Sequence, residues 1–326
     1  MHDSNSHSFD SRGFLFALGA LALVIMLGAG VKYGSAFAHE RFARESESAL
    51  AAAAQAEAEL TTLQNKHAME REEAVRKARP SRFVMNGAPP PKTTARSYVV
   101  GDVASTVIFA HKKAVETFPI ASLTKLLTAL VARETFPPSQ TIELTEPDRR
   151  ATGGYPGSIL RDETFKLEDS FRALLTESNN SIAYALERTG GGEKFMEAMR
   201  AKAKEVGMDA TTLEDPSGIS ANNAASALDV MVLIQHLYDA APDLLEIARK
   251  SGAAITAESG RTYRPGNYNV FSSDPHFIGG KTGYTTEARQ TYASIFEVEI
   301  EGETALIAIA VLGSDNRKAD TEALLK

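Results

Sequence analysis

The stretch Phe118-Pro119-Ile120-Ala121-Ser122-Leu123-Thr124-Lys125-Leu126-Leu127-Thr128-Ala129-Leu130 decides how the rest of this 326-residue chain is read. From Ala121 to Glu134, Leu123, Leu126, Leu127, Leu130 and Val131 recur at three-to-four spacing, which predicts a helix with an apolar face. Ser122 and Lys125 are three positions apart near its start, so the Lys125 amine sits over the Ser122 hydroxyl. A serine hydroxyl becomes a nucleophile when a base takes its proton. A lysine can be that base where burial or a second cation lowers its pKa toward neutrality. The free N–H groups of a helix start can also donate to a developing oxyanion. Alone, such a pair carries little, because its ordinary alternative is an N-cap serine followed by a solvated lysine.

Two further short motifs follow in order. Ser178-Asn179-Asn180 comes after Leu174-Leu175-Thr176-Glu177 at a helix junction, and Lys281-Thr282-Gly283 comes after Gly279-Gly280 in a predicted strand. Singly, Ser178 reads as an N-cap, Asn180 as a solvated polar residue, Lys281 as a strand-edge charge and Gly283 as a bulge or turn. The order Ser-x-x-Lys, Ser-x-Asn, Lys-Thr-Gly, each on the expected element, is the signature of penicillin-binding proteins and class A β-lactamases.

The surrounding pattern supports an α+β fold. Ser97 to Val103 and Thr106 to His111 read as a hairpin, and Phe277 to Gly283, Thr291 to Glu301 and Thr304 to Leu312 read as strands. Between them lie helix candidates at Asp169 to Arg188, Lys194 to Val206 and Ala225 to Tyr238, and Asp315 to Lys326 reads as a closing helix. Strands at both ends with helices between them predict one antiparallel sheet assembled from the two extremities of the domain.

The flanking text narrows the likeness. Tyr98 to Val103, Phe118 to Leu130, Leu174 to Leu186, Gly207-Met208, Asp215-Pro216-Ser217-Gly218, Ser226 to Asp229, Asn267-Tyr268-Asn269 and Gly279 to Thr285 resemble the low-molecular-mass serine D-Ala-D-Ala carboxypeptidases of peptidase family S11. The resemblance covers about residues 97 to 326. It implies a transpeptidase/β-lactamase-like antiparallel sheet flanked by helices, with a helical subdomain and the site in the cleft between them.

It also implies roles. Ser122 would attack the carbonyl between two D-alanines while Lys125 takes its proton, Ser178 would relay a proton to the leaving amine, and Asn180 would position Lys125 and the substrate amide. Lys281 and Thr282 would receive the terminal carboxylate of a peptidoglycan stem peptide. Lys281 would also help to keep Lys125 neutral. Gly283 would leave room for substrate along the strand, and the N–H groups of Ser122 and Tyr284 would form an oxyanion hole. Tyr155, Glu177, Asn179, Tyr284 and Arg289 are further candidates for the cleft wall. β-Lactams would act as covalent inhibitors.

Other classes stand beside this reading: a DD-endopeptidase acting on crosslinks, a class A-like β-lactamase using Glu214 as its deacylating base, and a noncatalytic wall-binding protein. Composition narrows the field. With no Cys, a thiol nucleophile, a disulfide framework and zinc-thiolate sites are excluded. A net charge of -7 argues against a nucleic-acid partner. The seven histidines are scattered without ligand spacing, so neither metal nor cofactor is expected.

The amino-terminal third reads differently. Residues 13–31 form an uncharged apolar run of roughly 28 Å as a helix, about the thickness of a bilayer core. It is expected to be a transmembrane anchor, with a cleaved signal peptide as the alternative because Ala36-Phe37-Ala38 supplies a small-x-small site. Residues 1–12 would then be a cytoplasmic tail, 32–79 a helical stalk, 80–96 a Pro-containing linker and 97–326 the catalytic domain. That domain would lie outside the cytoplasm, on the periplasm or wall side of a bacterial inner membrane. Oligomeric state is not encoded in any of these features.

Overall fold

The computed structural model describes residues 89–326 other than 106, 251–253 and 301, together with Ala49, Ala52, Ala54 and Gln55. Those four residues are helical and exposed. The rest of the expected stalk, the apolar run at 13–31 and the tail before it lie outside the described residues. Among the described residues no helix is long and apolar enough to cross a membrane.

The chain from Pro89 onward alternates short strands and helices. In order these are β1 (Ser97–Asp102), β2 (Ile108–Lys112), β3 (Thr117–Pro119), α1 (Thr124–Thr135), β4 (Thr141–Leu144), α2 (Glu146–Arg150), β5 (Glu163–Lys166), α3 (Leu167–Thr176), α4 (Asn180–Thr189) and α5 (Glu193–Val206). There follow β6 (Ala224–Ser226), α6 (Ala227–Ala240), α7 (Pro242–Arg249), β7 (Ile255–Thr256), β8 (Thr262–Tyr263), β9 (Phe277–Thr285), β10 (Arg289–Ile300), β11 (Glu303–Ser314) and α8 (Arg317–Leu324).

The main sheet has the order β2-β1-β11-β10-β9, and every pairing is antiparallel. It is built from the two ends of the domain, as the strand pattern predicts. Side chains alternate between its faces. Val99, Ile295, Ala308, Ala310 and Leu312 join the helical core, and α6 packs on that face. Tyr98, Val100, Tyr292, Phe296, Ile307, Ile309 and Val311 form a second core with Phe271, Phe277 and Leu324 of α8. Hence both faces are covered and β9 is left as an edge, flanking the cleft.

Helix boundaries show where tertiary forces act. The predicted helix from Ala121 instead opens as a 3-10 turn, Ala121–Leu123, with α1 proper beginning at Thr124. The carbonyls before it are held sideways: Thr291 Oγ1 donates to Ile120 O at 3.0 Å and Thr124 Oγ1 to Ala121 O at 2.9 Å. The region Asp169 to Arg188 is two helices that meet at the junction Glu177 to Asn179, where Ser178 has φ +64°. No Gly or Pro marks that junction. It is held by Asn179, whose side chain accepts from Ile182 N and so caps α4. Ser226 and Asp229 form a capping box that starts α6.

The folded domain begins slightly before Ser97. Thr94 donates from both N and Oγ1 to Asp320 of α8, each at 2.8 Å, and Ala95 is buried. The short β3–β6 and β4–β5 pairs and α7 carry too few residues to show a period in the sequence.

Candidate active site

Ser122 is the middle residue of the 3-10 turn and is half-buried. The residue before it, Ala121, has φ +49°, a conformation that L-residues with a Cβ seldom adopt. The strain is held by close packing: a Cβ on Gly218 would fall 1.9 Å from Ala121 O, so only glycine lets the two backbones meet.

Lys125 lies one turn on. Helix α1 is buried all round from Thr124 to Ala132, so the ordinary fate of a surface lysine is closed to it. Its side chain is fully buried, and Nζ stands 3.0 Å from Ser122 Oγ and 2.6 Å from Ser217 O. Burial lowers its pKa to about 7, against an opposing pull from Asp215. A large fraction of the amine is therefore neutral near pH 7, with a lone pair for the serine proton.

The second motif contributes Ser178 and Asn180. Both line a cleft of about 590 Å³ that also exposes Ser122, Thr282, Tyr284 and Arg317. Asn180 makes no hydrogen bond to Lys125. Its Nδ2 donates to Tyr155 O at 2.9 Å and its Oδ1 is buried without a partner among the described residues, whereas Lys125 is positioned by Ser217 O. Asn180 therefore ties down the loop that carries the exposed Tyr155.

Glu177 also lines the cleft, and its Oε1 accepts from Asn179 Nδ2 at 2.6 Å and Ser158 N at 3.1 Å. Asn179 itself is buried and outside the cleft wall.

The third motif lies on β9. Thr282, Gly283 and Tyr284 line the cleft. A Cβ on Gly283 would come 2.4 Å from Thr291 Oγ1 and 2.9 Å from Ser122 N, which brings strand and nucleophile into contact. Lys281 does not reach the cleft wall. It is 1% exposed, and its Nζ donates to Thr282 O at 2.9 Å. Burial, with Lys125 and Arg317 nearby, pushes its pKa well down. On Lys125 the lowering force is burial itself rather than Lys281.

Among the described residues the cation that lines the cleft is Arg317, at the start of α8. It donates from Nη1 to Gly283 O at 2.8 Å and Thr291 O at 3.1 Å, and from Nε to Gln290 Oε1 at 3.1 Å. Sequence reasoning misses it, because at position 317 it reads only as a polar residue of a closing helix. Arg289 is not in the wall: it pairs with Asp315. Glu214, the candidate deacylating base, is also absent from the wall and is bonded to Ser220 and Asn222.

The family model for D-alanyl-D-alanine carboxypeptidases, peptidase S11, matches residues 84–315. The chain belongs to this family. Among its S11 relatives is a D-alanyl-D-alanine endopeptidase of Haemophilus influenzae, 31% identical over 205 residues, 60% of this chain and 68% of the relative. The solved D-alanyl-D-alanine carboxypeptidase of Mycobacterium tuberculosis is 25% identical with a TM-score of 0.65, covering 74% of this chain and 94% of its own. Ampicillin-bound penicillin-binding protein D2 of Listeria monocytogenes is 26% identical with a TM-score of 0.61, covering 73% and 98%. The fold is thus that of the penicillin-binding transpeptidases, and the chain is a serine-type hydrolase of the S11 class.

Proposed function

We propose that this S11 member is a D-Ala-D-Ala carboxypeptidase that releases the terminal D-alanine of peptidoglycan stem peptides through an acyl-enzyme on Ser122. The observation that carries the reading is the buried Lys125 amine, 3.0 Å from Ser122 Oγ, with a pKa lowered to about 7.

As Ser122 Oγ attacks the carbonyl carbon, its proton passes to Lys125 Nζ. The oxyanion accepts from the N–H groups of Ser122 and Tyr284, each such donor contributing about 3 kcal/mol. The C–N bond then breaks, and the leaving amine takes the proton from Lys125 through the Ser178 hydroxyl. Water attacks the resulting ester with Lys125 again as base, returning Ser122 and freeing the shortened peptide.

The substrate's terminal carboxylate is received by the Thr282 hydroxyl and the Arg317 guanidinium, while Lys281 supports the strand from within the protein. Arg317 takes this role because it is the charged donor in the cleft wall. β-Lactams acylate Ser122 in the same way, in keeping with the ampicillin held by the Listeria neighbour.

A second reading, cleavage of crosslinks as a DD-endopeptidase, is favoured by the name of the Haemophilus relative and by the open edge strand β9. On this reading the domain lies outside the cytoplasm with residues 13–31 as a membrane anchor, because the proposed substrate lies there and the run is uncharged.

The test is to incubate the full chain with a stem pentapeptide and with a crosslinked dimer and to identify products by mass. Release of D-alanine from the pentapeptide supports the carboxypeptidase. Cleavage of the dimer alone supports the endopeptidase, and no product from either overturns both.

A further inference from the structure

The Asp215-Pro216-Ser217-Gly218 turn has no part in the chemistry above, yet it holds the proposed base. Asp215 is 9% exposed. Its Oδ1 accepts from Ser217 N at 2.7 Å, Gly218 N at 2.7 Å and Ser217 Oγ at 2.6 Å, and its Oδ2 from Ser220 N at 2.8 Å. One carboxylate thus gathers the backbone donors of the whole turn.

The first three carbonyls of the turn are then fixed, and each meets a different donor. Asp215 O accepts from Asn223 Nδ2 at 2.7 Å, Pro216 O from Thr128 Oγ1 at 2.6 Å and Ser217 O from Lys125 Nζ at 2.6 Å. Thr128 and Lys125 both belong to α1, so the turn is keyed to the helix that bears the base.

The bond to Lys125 has a directional consequence. A neutral amine has two N–H bonds and one lone pair. Once Ser217 O takes one N–H, the lone pair can be turned onto Ser122 Oγ, 3.0 Å away, and not freely elsewhere.

We infer that Asp215 is a positioning residue for the Ser122–Lys125 pair, acting through the Ser217 carbonyl that its carboxylate holds in place. The inference rests on Lys125 being the base for Ser122. Asp215 also acts by charge, since its carboxylate favours the protonated amine. The other charged or titratable groups around this pair are Lys281 on β9, with Arg317 beyond it, and Tyr184 and Glu187 on α4, both of which feel Asp215.

The experiment measures the acylation rate of the full chain by a fluorescent penicillin from pH 5 to 9, for wild type, Asp215→Ala and Asp215→Asn. Asparagine keeps an acceptor oxygen for the turn but lacks the charge. D215A is expected to lose about a hundredfold in the plateau rate, the effect of misplacing a reacting group by about 1 Å. D215N is expected to stay within about tenfold of wild type, with its acid limb moved to lower pH because the charge that favoured protonated Lys125 is gone.

A residue that only stabilised the fold would lower the amount of labelled enzyme without moving the limb. The inference is overturned if D215N leaves the acid limb in place, or if D215A reacts at the wild-type rate. Should D215A fail to fold, the limb of D215N still decides. Failure of wild type itself to label at Ser122 would instead overturn the functional reading on which the inference stands.

Discussion

The Arg317 guanidinium donates to the carbonyl of Gly283 at 2.8 Å, so the first residue of the last helix supplies a cation to the strand beside the nucleophile. A Cβ on Gly283 would stand 2.9 Å from Ser122 N, and residues 122, 283 and 317 all line the cleft. On the proposed mechanism, attack and carboxylate recognition are thereby coupled through backbone contacts.

Replacing Arg317 with Leu should lower kcat/KM for a peptide ending in a free carboxylate by about tenfold to a hundredfold, the range for losing a hydrogen bond to a charged group. The same peptide with an amidated end should be affected far less. Measuring both peptides with both enzymes gives the ratio, and equal losses would remove Arg317 from carboxylate binding.

Acylation should rise with pH through about 7 as Lys125 loses its proton, and Lys125→Met should abolish it. Stability responds in a defined direction. The folded pKa of Lys125 lies below its unfolded value, so below about pH 7 the folded state must protonate a buried amine, and above that, up to the unfolded pKa, it forgoes a proton the unfolded chain binds. Its burial therefore costs most at low pH, and the cost fades as pH rises toward the unfolded pKa of about 10.4. Lys125→Met should stabilise the domain by on the order of a few kcal/mol near pH 6, with the gain shrinking by pH 9 to 10. Thermal unfolding across that range checks the sign, and a gain that grows with pH would contradict it.

Gly283→Ala should abolish penicillin labelling, because the new methyl would stand 2.9 Å from Ser122 N and 2.4 Å from Thr291 Oγ1. Overpacking of this kind costs about 1–3 kcal/mol, so the variant should still fold. Circular dichroism beside the labelling assay separates the two effects. Normal labelling would show that the strand yields without disturbing Ser122.

Asn180→Ala should free the Tyr155 loop by removing the 2.9 Å bond to Tyr155 O, at a cost of about 1 kcal/mol. Limited proteolysis between Gly153 and Ser158 should become faster. Peptide turnover should fall with it, since the same side chain faces the cleft. Unchanged proteolysis would assign Asn180 to substrate contact alone.

Much of this protein is written locally. The order of the three motifs, the strands at both ends of the domain and the Ser226–Asp229 helix start are all legible, because periodicity and capping depend on residues within a few positions of one another. The sequence by itself also selects Ser122 and Lys125 as a pair, since three positions on a helical turn fix their proximity.

What only the tertiary structure decided are the features that require distant segments to meet. The Lys125 pKa falls to about 7 because α1 is buried on every side, and Ser217, 92 positions away, receives its N–H. Lys281 is drawn into the interior while Arg317, 36 positions later, takes its place in the cleft, a choice made by strand pairing and the docking of α8. The break between α3 and α4 carries no glycine or proline. Its positive φ at Ser178 persists because the Glu177, Asn179 and Asn180 side chains hold the chain on either side. Burial and long-range hydrogen bonding set these outcomes, and neither is a property of neighbours in sequence.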